Sequence, residues 1–464
     1  MKRSSTSMVS ALRSASFTLA LVFIVGSFTA NAHGQEEPAP SVASARAKLP
    51  KLYFVTQSKG FVHPVVKRAE RAMLAHAETC LTEMLAGRFE VVCRQDMSTF
   101  PEGFDDMSAI AFYTTGELPL DETQRALFLR WIEKGGAFIG FHSATDTFYE
   151  WPEFGELIGG YFDGHPWHQK VRVRIDDPMH VITAGLPQGF EITDEIYQFK
   201  DFDRERVHIL ASLDPESVDI SKGKRDDGVY ALAWCREYGR GRVFYTALGH
   251  RPEVWRDARF QRLTRRGVDW ATRRWSDLLE GGLGGWHPVK GDETRWKLTG
   301  GVLEIAPSSS SLMTVAEFGD CLFELEFRFP EGTPEHGGDS GVVLQRHYEI
   351  QLRDGRGVGK EPTKVDCGAL RGLVAPKVFA GKGPEVWQRL EVEFHAPRWD
   401  DKNAKTSNAR MTVRLNGVLV HDNVEVQERT TDQRPESPGN NPIVLEDRGE
   451  RVQFRNIRIR PLVP

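Results

Sequence analysis

Three nearly unbroken apolar runs limit this chain most: LYFVTQ from Leu52, AIAFYTT at 109–115 and GAFIGFHSAT at 136–145. A strand with one wet face alternates apolar and polar residues, whereas a strand apolar at almost every position is covered on both sides. Between these runs lie segments with helical spacing at 65–85 and 122–133, the second ending at Gly135-Gly136. FEVVCR (89–94) adds a strand. Strand–helix alternation of this kind predicts a parallel sheet with helices on both faces. A hairpin, YALAWCREYGRGRVFYTALGH, and a helix over 259–274 close the unit.

Residues 276–284 (SDLLEGGLG) read as a linker, and the pattern changes beyond them. CLFELEFRFP, GVVLQRHYEIQLRD, ARMTVRLNGVLVHDN and RVQFRNIRIRPL are short alternating strands separated by Gly, Pro, Asn or Asp. That spacing predicts an antiparallel sandwich or jelly roll. A chain of 464 residues suits two or three domains, and no internal repeat is visible.

The first 32 residues read as an address. Lys2, Arg3 and Arg13 precede the apolar run 17–28, and Ala30-Asn31-Ala32 supplies the small residues of a cleavage site. Residues 1–32 are therefore expected to be a cleaved signal peptide, and 33–50 a flexible lead-in. The apolar run is shorter than the ~20 residues of a bilayer span, and no later segment is apolar enough, so no membrane span is expected. The mature protein is expected to be secreted or periplasmic. With 60 Lys+Arg against 65 Asp+Glu the net charge is −5, which leaves no basic footprint for nucleic acid. The five cysteines (80, 93, 235, 321, 367) include no C-x-x-C pair, which excludes a Cys-type zinc site. They form one or two disulfides, Cys80–Cys93 or Cys321–Cys367 being nearest in sequence, or remain buried thiols.

Ligands of open α/β sheets bind at the carboxyl ends of the strands. Three segments fall there: Gly140 to Asp146 (GFHSATD), Gly164 to His168 (GHPWH) and Gly249 to Glu253 (GHRPE). His142, His165, His168 and His250 all lie in expected turns after strands, and Asp194-Glu195 adds carboxylates. Imidazoles with carboxylates suit proton transfer or metal ligation. His142, His165, His168, His250 and Glu195 are the catalytic candidates here; Ser143, Asp146 and Trp167 are candidates for holding substrate. Ser143 at the strand-to-helix turn is either a nucleophile or an N-cap.

The run GGAFIGFHSATDTF…FGELIGGYFDGHPWHQ…ITDEIYQF…GRGRVFYTALGH resembles the ThuA-like (trehalose utilisation) family over residues 51–275. The resemblance implies the flavodoxin-like fold of class I glutamine amidotransferases and action on oxidised (keto) disaccharides. Those enzymes carry Cys at the elbow. This chain has His142-Ser143 there, so thiolate chemistry is not expected.

In the second half, alternation turns Tyr348, Ile350 and Leu352 to the core and Glu349, Gln351, Glu446 and Arg455 away from it. This polar face is either a sugar-facing site, with Glu349 and Glu446 catalytic and Gln351 and Arg455 binding, or a solvated surface with cross-strand ion pairs. GDSGVVLQRHYEIQLRD, CGALRG and PIVLEDRGERVQFRNIRIRPL resemble the 3-keto-disaccharide hydrolase family over 285–464, which implies a concanavalin-like jelly roll. The chain departs from that family's closing block at Asn441 (usually Gly), Glu446 (Gln) and Arg448 (His); His347 and His421 lie near in sequence.

Together the resemblances imply cleavage of 3-keto-glycosides. A ketone at C3 acidifies the C2 proton, and the C1 aglycone leaves by elimination. The reaction needs a base, an acid and something to polarise the ketone: an Arg, a backbone dipole or a divalent metal ion. An upstream sugar 3-dehydrogenase is implied as partner. The competing expectation is a non-catalytic carbohydrate-binding protein with a degenerate amidotransferase-like domain. Hydrolysis of unoxidised sugars is disfavoured, because no recognised pair of catalytic carboxylates is evident.

Overall fold

The computed structural model describes residues 49–98, 104, 106–305, 309–333, 338–355, 361–430 and 435–462. The expected signal peptide lies outside them, as does nearly all of the lead-in. No helix among the described residues is long and apolar enough to cross a membrane.

The first half is an α/β domain built on a nine-stranded sheet. Its strands are β1 (Lys51–Val55), β2 (Glu90–Arg94), β3 (Met107–Phe112) and β4 (Ala137–Phe141), then β5 (Tyr161–Phe162), β6 (Trp167–Ile175), β7 (Gly189–Ile196), β8 (Phe199–Lys200), β9 (His208–Leu213), β10 (Ala231–Tyr238) and β11 (Gly241–Thr246). The order is β2-β1-β3-β4-β11-β10-β9-β6-β7, with β5 and β8 paired separately. Only the first five neighbours run parallel. From β10 outward every pairing is antiparallel. The expectation of a parallel sheet thus holds for one half of the sheet. The other half comprises the hairpin strand β10 and strands that do alternate, such as β6, in which Trp167, Val171, Val173 and Ile175 are buried and the residues between them exposed.

Helices α1 (His76–Met84), α2 (Glu122–Glu133), α3 (Pro152–Ile158), α4 (Pro252–Arg256) and α5 (Ala258–Ala271) cover the sheet. Asp121 caps α2 by accepting from Gln124 N at 2.8 Å, and Gln124 returns a bond to Asp121 N. Gly267 lets α5 lie on β11, since a Cβ there would stand 2.5 Å from the Phe244 ring. The helix expected over 65–85 forms only at His76–Met84. Buried Glu78 explains the late start: it accepts from Ala75 N at 2.7 Å and from Arg68 Nε at 2.8 Å, so the preceding loop folds back onto the first turn.

The second half is a two-sheet sandwich. Trp286–Pro288, Leu312–Phe318, Asn441–Leu445, Asp339–Leu344 and Tyr348–Arg353 form one sheet. Cys321–Arg328, Gln388–His395, Ala409–Leu415, Val418–Val426 and Gln453–Pro461 are the main strands of the other. Tyr348, Ile350 and Leu352 point between the sheets as expected; the Tyr348 ring meets Phe394 of the opposite sheet at 5.6 Å. The chain is therefore a flavodoxin-like α/β domain followed by an all-β jelly roll. Residues 276–284, read as a linker, are not a free tether: Ser276 and Asp277 pair antiparallel with Ile459 and Arg458 of the last strand. The five cysteines form no disulfide; four are buried and Cys93 is half-buried.

Candidate functional site

The carboxyl ends of β4, β7 and β11 meet at one carboxylate. Glu195, on β7, is paired in register with His168 on β6. His142 follows β4 directly, in the short turn His142–Thr145, and His250 follows β11. Glu195 Oε2 lies 3.3 Å from His142 Nε2 and 3.1 Å from His250 Nδ1. On its other side, Oε1 lies 3.5 Å from His165 Nδ1 and 3.8 Å from His168 Nδ1. The four imidazoles singled out in the sequence therefore surround one acid.

The site has an inner and an outer layer. His142 is fully buried, and His250 is 16% exposed at its side chain. His165 and His168, at 52% and 40%, are the solvent-facing members. His142 has φ +42°, a left-handed conformation costing about 1–3 kcal/mol in a non-glycine residue. Its ring lies tilted against Tyr197 with centroids 4.1 Å apart, and Nδ1 donates to the Ala247 carbonyl at 2.6 Å. That bond fixes the tautomer and leaves Nε2 as a lone pair aimed at Glu195. Asp194 points to the other face, where it accepts from Gly249 N (2.7 Å) and Arg251 N (3.0 Å) and so holds the loop that carries His250.

One member was missed. His63, in the loop after β1, is buried, and its ring lies edge-on to His142 (5.0 Å) and His250 (5.2 Å). A lone His before a Pro carries no sequence signal beyond its position after a strand. One ligating atom from each of His63, His142, Glu195 and His250 falls within 4.8 Å of every other, so among the described residues these four could hold a metal ion.

Burial, followed by the neighbouring His142 and His250, pushes His63 down to about 2, so its ring is neutral. Burial also lowers His168, with His250 adding to it. For Glu195 burial acts upward, but the neighbouring His142 and His250 outweigh it and hold the carboxyl well below its ordinary range. Burial raises Asp194 and Tyr197.

The three binding candidates of this domain fare differently. Ser143 is buried beside His142, and its Oγ has no hydrogen-bond partner among the described residues. Asp146 accepts from the Tyr149 hydroxyl at 2.7 Å rather than joining the imidazoles. Trp167 is corrected: it is 1% exposed, donates from Nε1 to the Asp219 carbonyl at 3.0 Å and packs edge-on to Tyr230. It occupies an inward position of β6, and its ring belongs to the core.

The jelly roll carries a second cluster. Glu349 is 1% exposed, and Glu446 follows the strand Asn441–Leu445. Arg448 Nη2 donates to Glu349 Oε1 at 2.8 Å and to Glu446 Oε2 at 2.5 Å. Arg371, from the CGALRG segment, donates to Glu349 Oε2 at 3.1 Å. Gln351 Nε2 donates to Asp339 Oδ1 at 2.6 Å, and Asp339 lies 3.6 Å from Arg448 Nε. Three carboxylates thus face two guanidiniums. Burial raises both Glu349 and Glu446 above the ordinary carboxylate range, Glu446 further because of Glu349 beside it, so the pair retains a proton into the neutral range. Gly341 makes room: a Cβ there would stand 2.7 Å from Glu446 Oε2 and 2.8 Å from Glu349 Oε1.

Arg455 does not belong to this cluster. Its strand, Gln453–Pro461, lies in the opposite sheet, where Arg455 pairs with Glu326 at 2.6 Å and covers Trp387 at 4.0 Å. Alternation gave its side of the strand but not the sheet that the strand joins. His421 also lies in that sheet, donating from Nε2 to the Gly368 carbonyl at 2.8 Å, and His347 is buried in the turn before Tyr348; neither replaces the family's closing His. Arg371 was missed because its function depends on the fold of a loop.

Fold and clusters together define a two-domain protein, a flavodoxin-like α/β domain with an imidazole–carboxylate cluster and a jelly roll with a glutamate–arginine cluster. Residues 51–271 match the ThuA family (trehalose utilisation), and residues 274–460 match the 3-keto-alpha-glucoside-1,2-lyase-like domain family. The chain thus carries a ThuA domain followed by a 3-keto-disaccharide hydrolase domain, in the expected order. No curated protein matches it. Among solved structures, a ThuA-like protein from Bacteroides uniformis is 27% identical, covers 51% of this chain and 95% of its own, and has a TM-score of 0.39. A protein from Parabacteroides distasonis, provisionally described as a glycosyl hydrolase, is 26% identical over 40% of this chain and 84% of its own, with a TM-score of 0.37.

Proposed function

We propose that this chain is an extracytoplasmic enzyme that cleaves 3-keto-disaccharides or 3-keto-glycosides. The observation that carries the reading is the convergence of His142, His165, His168 and His250 on Glu195. His165 suits the base: its Nδ1 side is backed by the carboxylate, and the ring stands half-exposed to solvent. It takes the C2 proton made acidic by the C3 ketone. The electron pair forms the C1–C2 double bond, the C1–oxygen bond breaks, and the departing alkoxide takes up a proton. Water then adds at C1 when the outcome is hydrolysis. His168 is less suited, because Arg251 Nε already donates to its Nε2 at 3.3 Å. The Glu349–Glu446 pair supplies a second acid–base site on the jelly roll. A sugar 3-dehydrogenase must act first, since the substrate is an oxidised sugar. The N-terminal address supports export.

A second reading applies to the jelly roll. Arg448 and Arg371 already occupy oxygens of Glu349 and Glu446, an arrangement that favours sugar binding without catalysis there.

The test is incubation of the protein with 3-keto-trehalose and with a nitrophenyl 3-keto-α-glucoside, each beside its unoxidised parent. Aglycone release from the keto-sugars alone, lost in Glu195→Gln and His165→Ala, is the expected result. Persistence of that activity in Glu349→Gln assigns catalysis to the α/β domain. Neither release nor isomerisation with divalent ions present, or equal rates on the parents, overturns the reading.

A further inference from the structure

We infer that His63, His142, His250 and Glu195 form a binding site for a divalent first-row transition ion, which presents an open side to a ketone and its neighbouring hydroxyl. The assignment rests on spacing. An ion bound at about 2.0–2.1 Å by tetrahedral nitrogen and oxygen ligands keeps those atoms roughly 3.3–3.4 Å apart. His142 Nε2, His250 Nδ1 and Glu195 Oε2 form a triangle with sides of 3.3, 3.3 and 3.1 Å. These edges nearly fit before any ion is placed. The His63 nitrogen, within 4.8 Å of all three, closes the set by a movement of at most about 1.5 Å.

Hydrogen-bond accounting points the same way. His142 Nδ1 donates to the Ala247 carbonyl, so its Nε2 faces the cluster as an acceptor. The Glu195 oxygen is an acceptor as well. His250 Nδ1 brings at most one proton to the two atoms it faces, at 3.1 and 3.3 Å. His63 Nδ1 is buried without a hydrogen-bond partner among the described residues. Lone pairs therefore outnumber donors at a buried point, and such an arrangement is unfavourable unless a cation lies among them. The Ala247 bond is also the outer support expected of a ligating imidazole. Asp194 supports the His250 loop in the same manner. Three imidazoles and one carboxylate favour zinc, manganese, iron, cobalt or nickel over magnesium and calcium.

His165 and His168 lie on the opposite side of Glu195 and are half-exposed, so the substrate approaches between the ion and a base. The substrate half of this inference rests on the keto-glycoside reading, whereas the metal half does not. An α-hydroxy ketone offers the ion a carbonyl oxygen beside a hydroxyl, whereas an unoxidised sugar offers only hydroxyls at C2 and C3.

The experiment titrates Co(II) into chelator-treated full-length protein, reading d–d absorption and the bound metal by elemental analysis. One ion per chain is expected, with binding weakened about 100-fold or more in His63→Ala and in Glu195→Gln, beyond what outer supports contribute. His208→Ala, remote from the cluster, keeps full binding. Circular dichroism checks folding, and the two ligand variants come from different elements, so a misfolded one leaves the other informative. Wild-type protein without stoichiometric metal, or ligand variants that keep it, overturns the site. Dihydroxyacetone, a small α-hydroxy ketone, then perturbs the cobalt spectrum, whereas glucose does not. If the ion binds and dihydroxyacetone leaves the spectrum unchanged, the metal site stands and the chelation step is overturned. Keto-glycoside cleavage is judged separately, by aglycone release.

Discussion

Gly341→Ala tests whether the two glutamates of the jelly roll are as tightly confined as their geometry indicates. Gly341 is not a positive-φ glycine, so an alanine brings no backbone strain and acts by contact alone. The nearest atoms to the new Cβ are Glu446 Oε2 at 2.7 Å and Glu349 Oε1 at 2.8 Å, where ordinary contact begins at 3.4 Å. The oxygens must retreat by 0.7 and 0.6 Å (3.4 − 2.7 and 3.4 − 2.8). Both are held by Arg448, at 2.5 and 2.8 Å, so the retreat stretches charge-assisted bonds in a buried cluster. Overpacking of this kind costs about 1–3 kcal/mol. We expect urea unfolding at pH 7 to show a loss near 2 kcal/mol, within that range. In the double variant Gly341→Ala/Glu446→Ala the two losses should not add, because removing the carboxylate makes space for the methyl group. A loss below about 0.5 kcal/mol, or strict additivity, would refute the confined geometry.

The raised carboxyls fix the sign of a pH effect. A carboxyl whose folded value lies above its unfolded one stabilises the fold below the ordinary carboxylate range and loses that contribution as pH rises through the folded value, here about 7 to 8. Glu446→Gln should therefore flatten stability between pH 5 and 8, gaining about 1–2 kcal/mol over wild type at pH 8; parallel curves would contradict this. Arg448→Ala should cost about 3 kcal/mol at pH 8 and less at pH 5, where the glutamates take up protons; an equal loss at both would argue against the shared-proton cluster. Trp167→Ala should cost about 3–5 kcal/mol in thermal or urea unfolding, as a core truncation does; a change in sugar affinity at unchanged stability would reverse its assignment to the core. Arg455→Ala should cost under about 1 kcal/mol and leave keto-sugar turnover intact; lost turnover would return it to the site.

What was legible in the sequence depended on how local the signal was. Apolar runs and hairpin spacing located β1, β3, β4, β10 and β11, because two-sided burial leaves a mark at every residue of a strand. Beyond the β10–β11 hairpin, the antiparallel part of the first sheet was not legible, since strand direction is set by connections made after the elements exist. Imidazoles in turns after strands led to His142, His165, His168 and His250, and the structure gathers them around Glu195. His63 escaped because it reaches the same point from a loop with no motif. Parity separated Tyr348 from Glu349 correctly but grouped Arg455 with Glu349. Alternation describes a strand's own faces and carries nothing about which sheet the strand enters. Arg448, first noticed as a departure from a family pattern, proves to bridge Glu349 and Glu446.

The pairing of Ser276 and Asp277 with the final strand has a consequence for how the two halves work together. The segment leaving the first domain is sewn into the edge of the second, and Glu317 N adds a stitch to the Met179 carbonyl at 3.2 Å. Swivelling of one half against the other would tear ladder bonds rather than bend a tether. A fragment begun at Trp286 would lose a border of its own sheet.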